Sequence, residues 1–196
     1  MLQETKCLEK KLQILIKHCW KNAQVVAVDA KGNARGIALI WDPNLLVMEG
    51  FFSSTHTLFG WFRVIGTNQT GVITNVYGPQ QIDQIINFLN HLRWLQNNIP
   101  SPNWIIGGEY NIIASLDEKK GSIRRLDMDS IALQLLIRDL KLADIQTSNG
   151  IHTWNNRRGG DHQVACRLDH FLVSDPLLEN HLNLSESFLP MKGSDH

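Results

Sequence analysis

Apolar residues recur at Leu8, Leu12, Leu15, Ile16 and Cys19 with the spacing of a single helical stripe, which predicts a helix from about Thr5 to Cys19. The periodicity then shortens. VVAVDA and GIALIW flank the turn-rich KGNARG, VMEGFF passes through the polar SSTHT into LFGWFRV, and GVITNVYG stops at Gly78-Pro79. Such β-branched and aromatic runs, punctuated by Gly, Asn and Ser, predict strands joined as antiparallel hairpins. Ile82, Ile85, Ile86, Leu89 and Leu92 mark a second helix that ends near NNIPSPN, and NWIIGG follows as a buried strand. A third helix buries Leu133, Leu136, Ile137 and Leu140, with Asp129 or Ser130 expected to cap it. GIHTWNN and VACRLDHFLVS predict two further strands. Blocks of strands with helices interleaved point to a mixed α/β chain of the α+β type, and no internal repeat is visible.

Composition narrows the function classes. A chain of 196 residues with 43% hydrophobic content suits one domain with an ordinary core. Nineteen Lys plus Arg balance nineteen Asp plus Glu, so any binding to a polyanion must use local patches and not a global field. Three cysteines without a C-x-x-C pair argue against a disulfide framework and for a reducing compartment, with Cys7, Cys19 and Cys166 expected as packing residues. No apolar run reaches the roughly 18 to 20 residues that span a bilayer, and MLQETKCLEKK lacks the apolar core of a signal peptide. The expectation is a soluble, intracellular monomer with no membrane partner. The sequons at Asn68 and Asn183 then have no glycosylation to direct.

Chemistry is expected where strands end, because a sheet fixes the position of a group that its loop leaves exposed. The places to weigh are Glu4 in QETK, Asn75 and Tyr77 in NVYGP, Glu109 and Asn111 in GGEYN, Asp169 in RLDHF, and Ser194, Asp195 and His196 in GSDH. Each alone reads as a solvated acid, a strand-end tyrosine or a turn. Asp169 is the exception. It interrupts an apolar strand, where an unpaired carboxylate is costly, so it requires a metal, Arg167 or a histidine as partner; His196, beside Asp195, is the natural one.

In order along the chain, QETK, NVYGP, GGEYN, TWNN, RLDHFLVS and GSDH resemble the motifs of the endonuclease/exonuclease/phosphatase superfamily. The likeness is to its apurinic-endonuclease-like branch, and nearest to the endonuclease domains of plant LINE-type retroelements. It runs from Leu2 to His196. The resemblance implies a four-layer sandwich of two mainly antiparallel sheets flanked by helices, and hydrolysis of phosphodiesters with Mg²⁺ or Mn²⁺. It implies that Glu4 holds the metal, with Asp195 as a second-metal or histidine-adjacent acid, and that Glu109 orients or deprotonates the attacking water. Asn111 and His196 then contact the phosphate, Tyr77 lies near it, and Asp169 orients His196. The family's Asp is replaced by Glu109, one methylene longer, and misplacing a catalytic group by about 1 Å can cost on the order of a hundredfold in rate. The family strand before QETK and the edge strand after GSDH have no counterpart, so a single domain truncated at both ends is expected.

Lys119, Lys120, Arg124 and Arg125 follow GGEYN in what reads as a loop, and Arg157 and Arg158 follow TWNN. Beside a phosphodiesterase site such clusters become phosphate contacts, which makes DNA the expected partner and the nucleus the expected location. A reverse transcriptase domain once fused to the chain fits the same origin. Trp154 is either a wedge against substrate or a half-buried core residue. A degenerate, non-catalytic remnant and a phosphatase of small phosphoesters are the alternatives.

Overall fold

In chain order the elements are α1 (Glu9–Cys19), β1 (Gln24–Val28), β2 (Ile37–Trp41), β3 (Leu46–Ser53), β4 (Thr57–Val64), β5 (Thr70–Tyr77), α2 (Ile82–Gln96), β6 (Trp104–Glu109), β7 (Lys119–Lys120), α3 (Met128–Asp139), β8 (Leu142–Asp144), β9 (Trp154–Asn155), β10 (Ala165–Cys166), β11 (Asp169–Ser174) and α4 (Asp175–Asn180). The computed structural model describes residues 1–29, 36–121, 126–180 and 184–187. The chain is mixed α/β with mostly antiparallel pairing, as the hydrophobic pattern predicts. It divides into two compact units, one of Met1–Tyr77 and Asn98–Glu109, the other of Gly78–Asn97 with Tyr110 onward.

In the first unit β1 and β2 form an antiparallel hairpin. β3, β4 and β5 form an antiparallel meander, extended by β6 parallel to β5. Val26, Ile37, Leu39, Leu58 and Tyr77 cluster as buried core, with Met1, Val28, Trp41 and Ile73 packed against them. Each fully buried aliphatic side chain contributes roughly 1.5–3 kcal/mol. Trp104 is buried with its indole N–H donating to Thr74 Oγ1 at 2.8 Å, so its polar edge is satisfied inside the sheet.

α1 is shorter than its apolar stripe predicts. Before Glu9 the chain is irregular, with left-handed backbone at Glu4 and Lys6: Leu2 exchanges backbone bonds with Ala38 of β2 at 2.9 Å each way, and the Thr5 N–H donates to Gly36 O at 3.1 Å. Leu12 is buried and Ile16 half-buried, whereas Leu8, Leu15 and Cys19 are exposed, so only part of the stripe faces the sheet. The packing role expected of the cysteines holds for buried Cys166; Cys7 is half-buried and Cys19 lies on the surface.

In the second unit α2 buries Ile85, Phe88, Leu89, Leu92 and Leu95, leaving Ile82 and Ile86 exposed at the flank of the predicted stripe. α3 buries Leu133 and Leu136, and Leu140 follows as its C-cap, while Ile137 is half-buried. Its N-cap is Asp127, not Asp129 or Ser130: Asp127 Oδ1 accepts from the Ser130 N–H and hydroxyl, both at 2.9 Å, satisfying an otherwise orphaned first-turn donor. α2 and α3 are tied by Gln96 Nε2 donating to Leu140 O at 3.0 Å. The long apolar run VACRLDHFLVS divides into β10 and β11, since β10 pairs with β7 and β9 whereas β11 pairs with β8. The strand predicted at GIHTWNN is confined to Trp154–Asn155.

Candidate active site

Glu4 sits at a positive φ of 48°, a conformation that non-glycine residues adopt only where surrounding contacts enforce it. The enforcing contacts come from Asn75. Fully buried on β5, it donates through Nδ2 to Leu2 O at 2.8 Å and Ala38 O at 2.9 Å, and accepts from Gln3 Nε2 at 2.5 Å. Asn75, a candidate for chemistry in the sequence, is thus a clamp that fixes the segment carrying Glu4. Glu4 Oε1 accepts from the Tyr77 hydroxyl at 2.8 Å, and Glu4 Oε2 lies 3.4 Å from Lys6 Nζ with its side chain 36% exposed. The Tyr77 backbone is held in turn by His56, whose carbonyl accepts the Tyr77 N–H at 3.0 Å and whose Nδ1 lies 2.9 Å from Tyr77 O.

Glu109 stands opposite Tyr77 in the parallel register of β5 and β6. It ends the strand instead of lying beyond it, and is buried. Gly108 makes this possible: at φ 133° a Cβ there would lie 2.2 Å from Val76 O, so only glycine lets the strands approach so closely.

In the second unit Asn111 has a φ of 58° and donates through Nδ2 to Gly78 O at 2.9 Å. Gly78 tolerates no side chain, because a Cβ would meet Tyr110 O at 2.3 Å. The glycine of NVYGP and the asparagine of GGEYN are therefore built against each other. Asp169, half-buried, opens β11; its N–H and that of Leu168 both donate to Thr153 Oγ1, at 3.1 and 2.9 Å. That contact explains the threonine of HTWNN. Trp154 is half-buried at the start of β9.

Beneath Asp169 lies an ionic network that sequence reasoning did not find. Arg167 is fully buried, with Nη1 3.1 Å from Glu118 Oε1 and 2.9 Å from Asp144 Oδ2, and Nη2 2.7 Å from Asp144 Oδ1 and 2.9 Å from Ile145 O. His170, also fully buried, places Nδ1 3.0 Å from Asp144 Oδ2 and Nε2 3.1 Å from Ile112 O. Burial works against the Arg167 charge, yet Asp144 and then Glu118 outweigh it and hold the guanidinium pKa above its ordinary value. Burial, with Asp144 adding to it, pushes the Tyr110 phenol well above its usual range, so Tyr110 stays protonated between Phe88 and His170. Arg167, one of the partners considered for Asp169, makes its ion pairs with Glu118, Asp144 and Glu186. Two signals were present in the sequence: the S-x-x-E of Ser115 to Glu118, observed as a capping box, and the arginine and histidine that bracket Asp169.

Lys119 and Lys120 form β7 instead of a loop, paired with β10, whose other edge carries β9. The small sheet therefore gathers the lysines and, just past β9, the exposed Arg157 and Arg158. Arg157, at φ 52°, is fixed by its N–H donating to Asn155 Oδ1 at 2.9 Å, and the Arg158 N–H donates to Asn156 Oδ1 at 3.2 Å. Asn156 Nδ2 closes the loop onto His162 O at 2.8 Å. His152 has its pKa lowered by burial and then by the Lys120 charge. Arg124, Arg125, Ser194, Asp195 and His196 lie outside the described residues.

Two groupings bear on a divalent cation. Glu118, Asp144 and His170 each bring a ligand atom within 4.8 Å of one another, but the Arg167 guanidinium already occupies the acceptors of this set, so a second cation does not fit there. Glu4 fits better: its carboxylate is partly exposed, oriented by a neutral phenol, and offers the oxygen donors that a hard cation takes. No helix among the described residues is long and apolar enough to cross a membrane.

No protein-family model matches the chain, and no curated protein matches it in sequence. Solved structures do match. The endonuclease domain of TRAS1, a telomere-specific non-LTR retrotransposon, superposes with a TM-score of 0.64 at 16% identity, covering 90% of this chain and 83% of that domain. The mannosyl-6-phosphatase of Bacteroides thetaiotaomicron gives 0.58 at 13% identity, over 87% of this chain and 69% of that one. D. rerio TDP2, in complex with a single-strand DNA product, gives 0.57 at 12% identity, over 88% and 69%. Nucleases and phosphatases thus share one architecture with this chain across most of its length: it has their DNase-I-like fold.

Proposed function

We propose that the chain is a divalent-metal-dependent phosphodiesterase that nicks DNA, as the endonucleases of LINE-type retroelements do. The observation that carries this reading is the Glu4 carboxylate, held at a strained φ by the Asn75 clamp and oriented by the Tyr77 hydroxyl. A positive φ maintained by several hydrogen bonds, one of them buried, is what a preorganised functional group requires. Glu4 would hold Mg²⁺, with Asp195 as a second acid by resemblance. When bound, the metal supplies Lewis-acid neutralisation of phosphoryl charge.

The remaining steps fall to the chain's own groups. By the resemblance, Asn111 would present its side-chain amide to a phosphate oxygen, Tyr77 would serve as the phosphate-proximal tyrosine, and Glu109 would align or deprotonate the attacking water. Asp169 orients His196, which contributes a further phosphate contact. The basic sheet favours DNA over a small phosphoester, because four cations in one sheet and its loop suit a chain of phosphates.

Two measurements test this. Mg²⁺ should raise the melting temperature of the wild-type protein by mass action on the folded state and leave Glu4→Ala unmoved; an equal rise in both would remove Glu4 from the metal site. Replacing Arg157 and Arg158 with alanine should weaken binding to duplex DNA about equally across sequences. It should also reduce the salt slope of log K by roughly 1 to 2, whereas an unchanged slope would make these arginines solvated surface.

A further inference from the structure

We propose that His170 is a positioning residue, joining the Asn111 turn to the Asp169 strand so that both motif residues are held in one geometry. The inference rests on the phosphodiesterase reading for its catalytic consequence, though not for its structural content. Three contacts link the two segments. The Tyr110 N–H, directly before Asn111, donates to Leu168 O, directly before Asp169, at 2.7 Å. His170 Nε2, directly after Asp169, lies 3.1 Å from Ile112 O, directly after Asn111. Since a carbonyl only accepts, that nitrogen is the donor. The Tyr110 and His170 rings meet edge to face, with centroids 5.5 Å apart.

His170 is itself immobilised. Its Nδ1 faces Asp144 Oδ2, and Asp144 also takes both terminal nitrogens of Arg167. Because the carboxylate and the carbonyl both only accept, both ring nitrogens carry hydrogen in this arrangement; the ring hangs from an anchored carboxylate and pins the far side of a turn whose central residue, Asn111, has a left-handed φ. Without the bond to Ile112 O, that turn loses one of the contacts that fix its left-handed residue in place. A shift of about 1 Å in Asn111 would then be enough to cost catalysis on the order of a hundredfold.

The two ring nitrogens can be tested separately. In His170→Gln the side-chain amide nitrogen takes the place of Nε2 and keeps the Ile112 bond. In His170→Asn it takes the place of Nδ1 and keeps only the Asp144 bond. Plasmid nicking should show kcat falling by roughly ten- to a hundredfold in His170→Asn and His170→Phe with KM within about twofold, and within about threefold of wild type in His170→Gln. The control is Leu172→Ala or Val173→Ala, whichever matches the lowered melting temperature; it should keep kcat. A fall in the control as deep as in His170→Asn, or His170→Gln falling with His170→Asn, would overturn the proposal.

A wild-type protein that does not nick defeats the phosphodiesterase reading alone. The coupling is then decided by NMR on the full chain. Tyr110 amide exchange should quicken by about tenfold or more, and the Asn111 side-chain amide signals should broaden or move, in His170→Asn but not in His170→Gln. Identical spectra at these positions in both variants would overturn the coupling.

Discussion

Replacing Arg167 with methionine should destabilise the protein by about 3–5 kcal/mol, a loss seen as a fall of roughly 6–20 °C in melting temperature for a chain of this size. Arg167 is fully buried, and its two shorter ion pairs are with Glu118 and Asp144, whose side chains are 7% and 14% exposed. Methionine fills similar volume without charge, so the two acids are left facing each other in the interior. The ion pair Arg63–Glu49 gives the contrast. Its side chains are 46% and 42% exposed, so Arg63→Ala should cost no more than about 1 kcal/mol. Equal small losses at both arginines would show that the buried network is not the anchor of the second unit.

Glutamine at position 4 should lower Mg²⁺-dependent nicking by about a hundredfold or more, the scale of losing one preorganised electrostatic contact to the reacting group. Shape is retained and the Tyr77 hydroxyl can still donate to the amide oxygen, so folding should be unaffected. The buried Asn75 clamp holds the segment from the other side. Nicking within threefold of wild type in Glu4→Gln would mean that Glu4 holds no metal.

Which of these features the sequence displays depends on how far apart the interacting residues lie. Strands β1 to β6 are legible because each repeats the β-branched and aromatic pattern over five to eight residues. β7, β9 and β10 are two residues each, too short for any period, and the helical reading of Thr5 to Leu8 fails where the Thr5 N–H donates to Gly36 O and Lys6 takes left-handed backbone, so tertiary contact overrides the apolar stripe. Glu4, Tyr77, Asn111 and Asp169 stand out in the sequence only through ordered resemblance. The structure adds why Glu4 and Asn111 are held: left-handed backbone at both, and glycines at positions 78 and 108 that admit no Cβ. Asn75 is visible as a polar residue in an apolar strand, but its partners are 37 and 73 positions away, so its clamping role is not. The same holds for Arg167, whose carboxylates lie 23 and 49 positions away.

The most direct measurement is the conversion of supercoiled plasmid by the purified chain, with Mg²⁺ and with chelator, set beside release of phosphate from a small phosphomonoester. The account predicts nicked circles that accumulate with time only when Mg²⁺ is present, and phosphomonoester turnover at background. A folded protein that binds Mg²⁺ yet leaves the plasmid supercoiled at every concentration tried would contradict it.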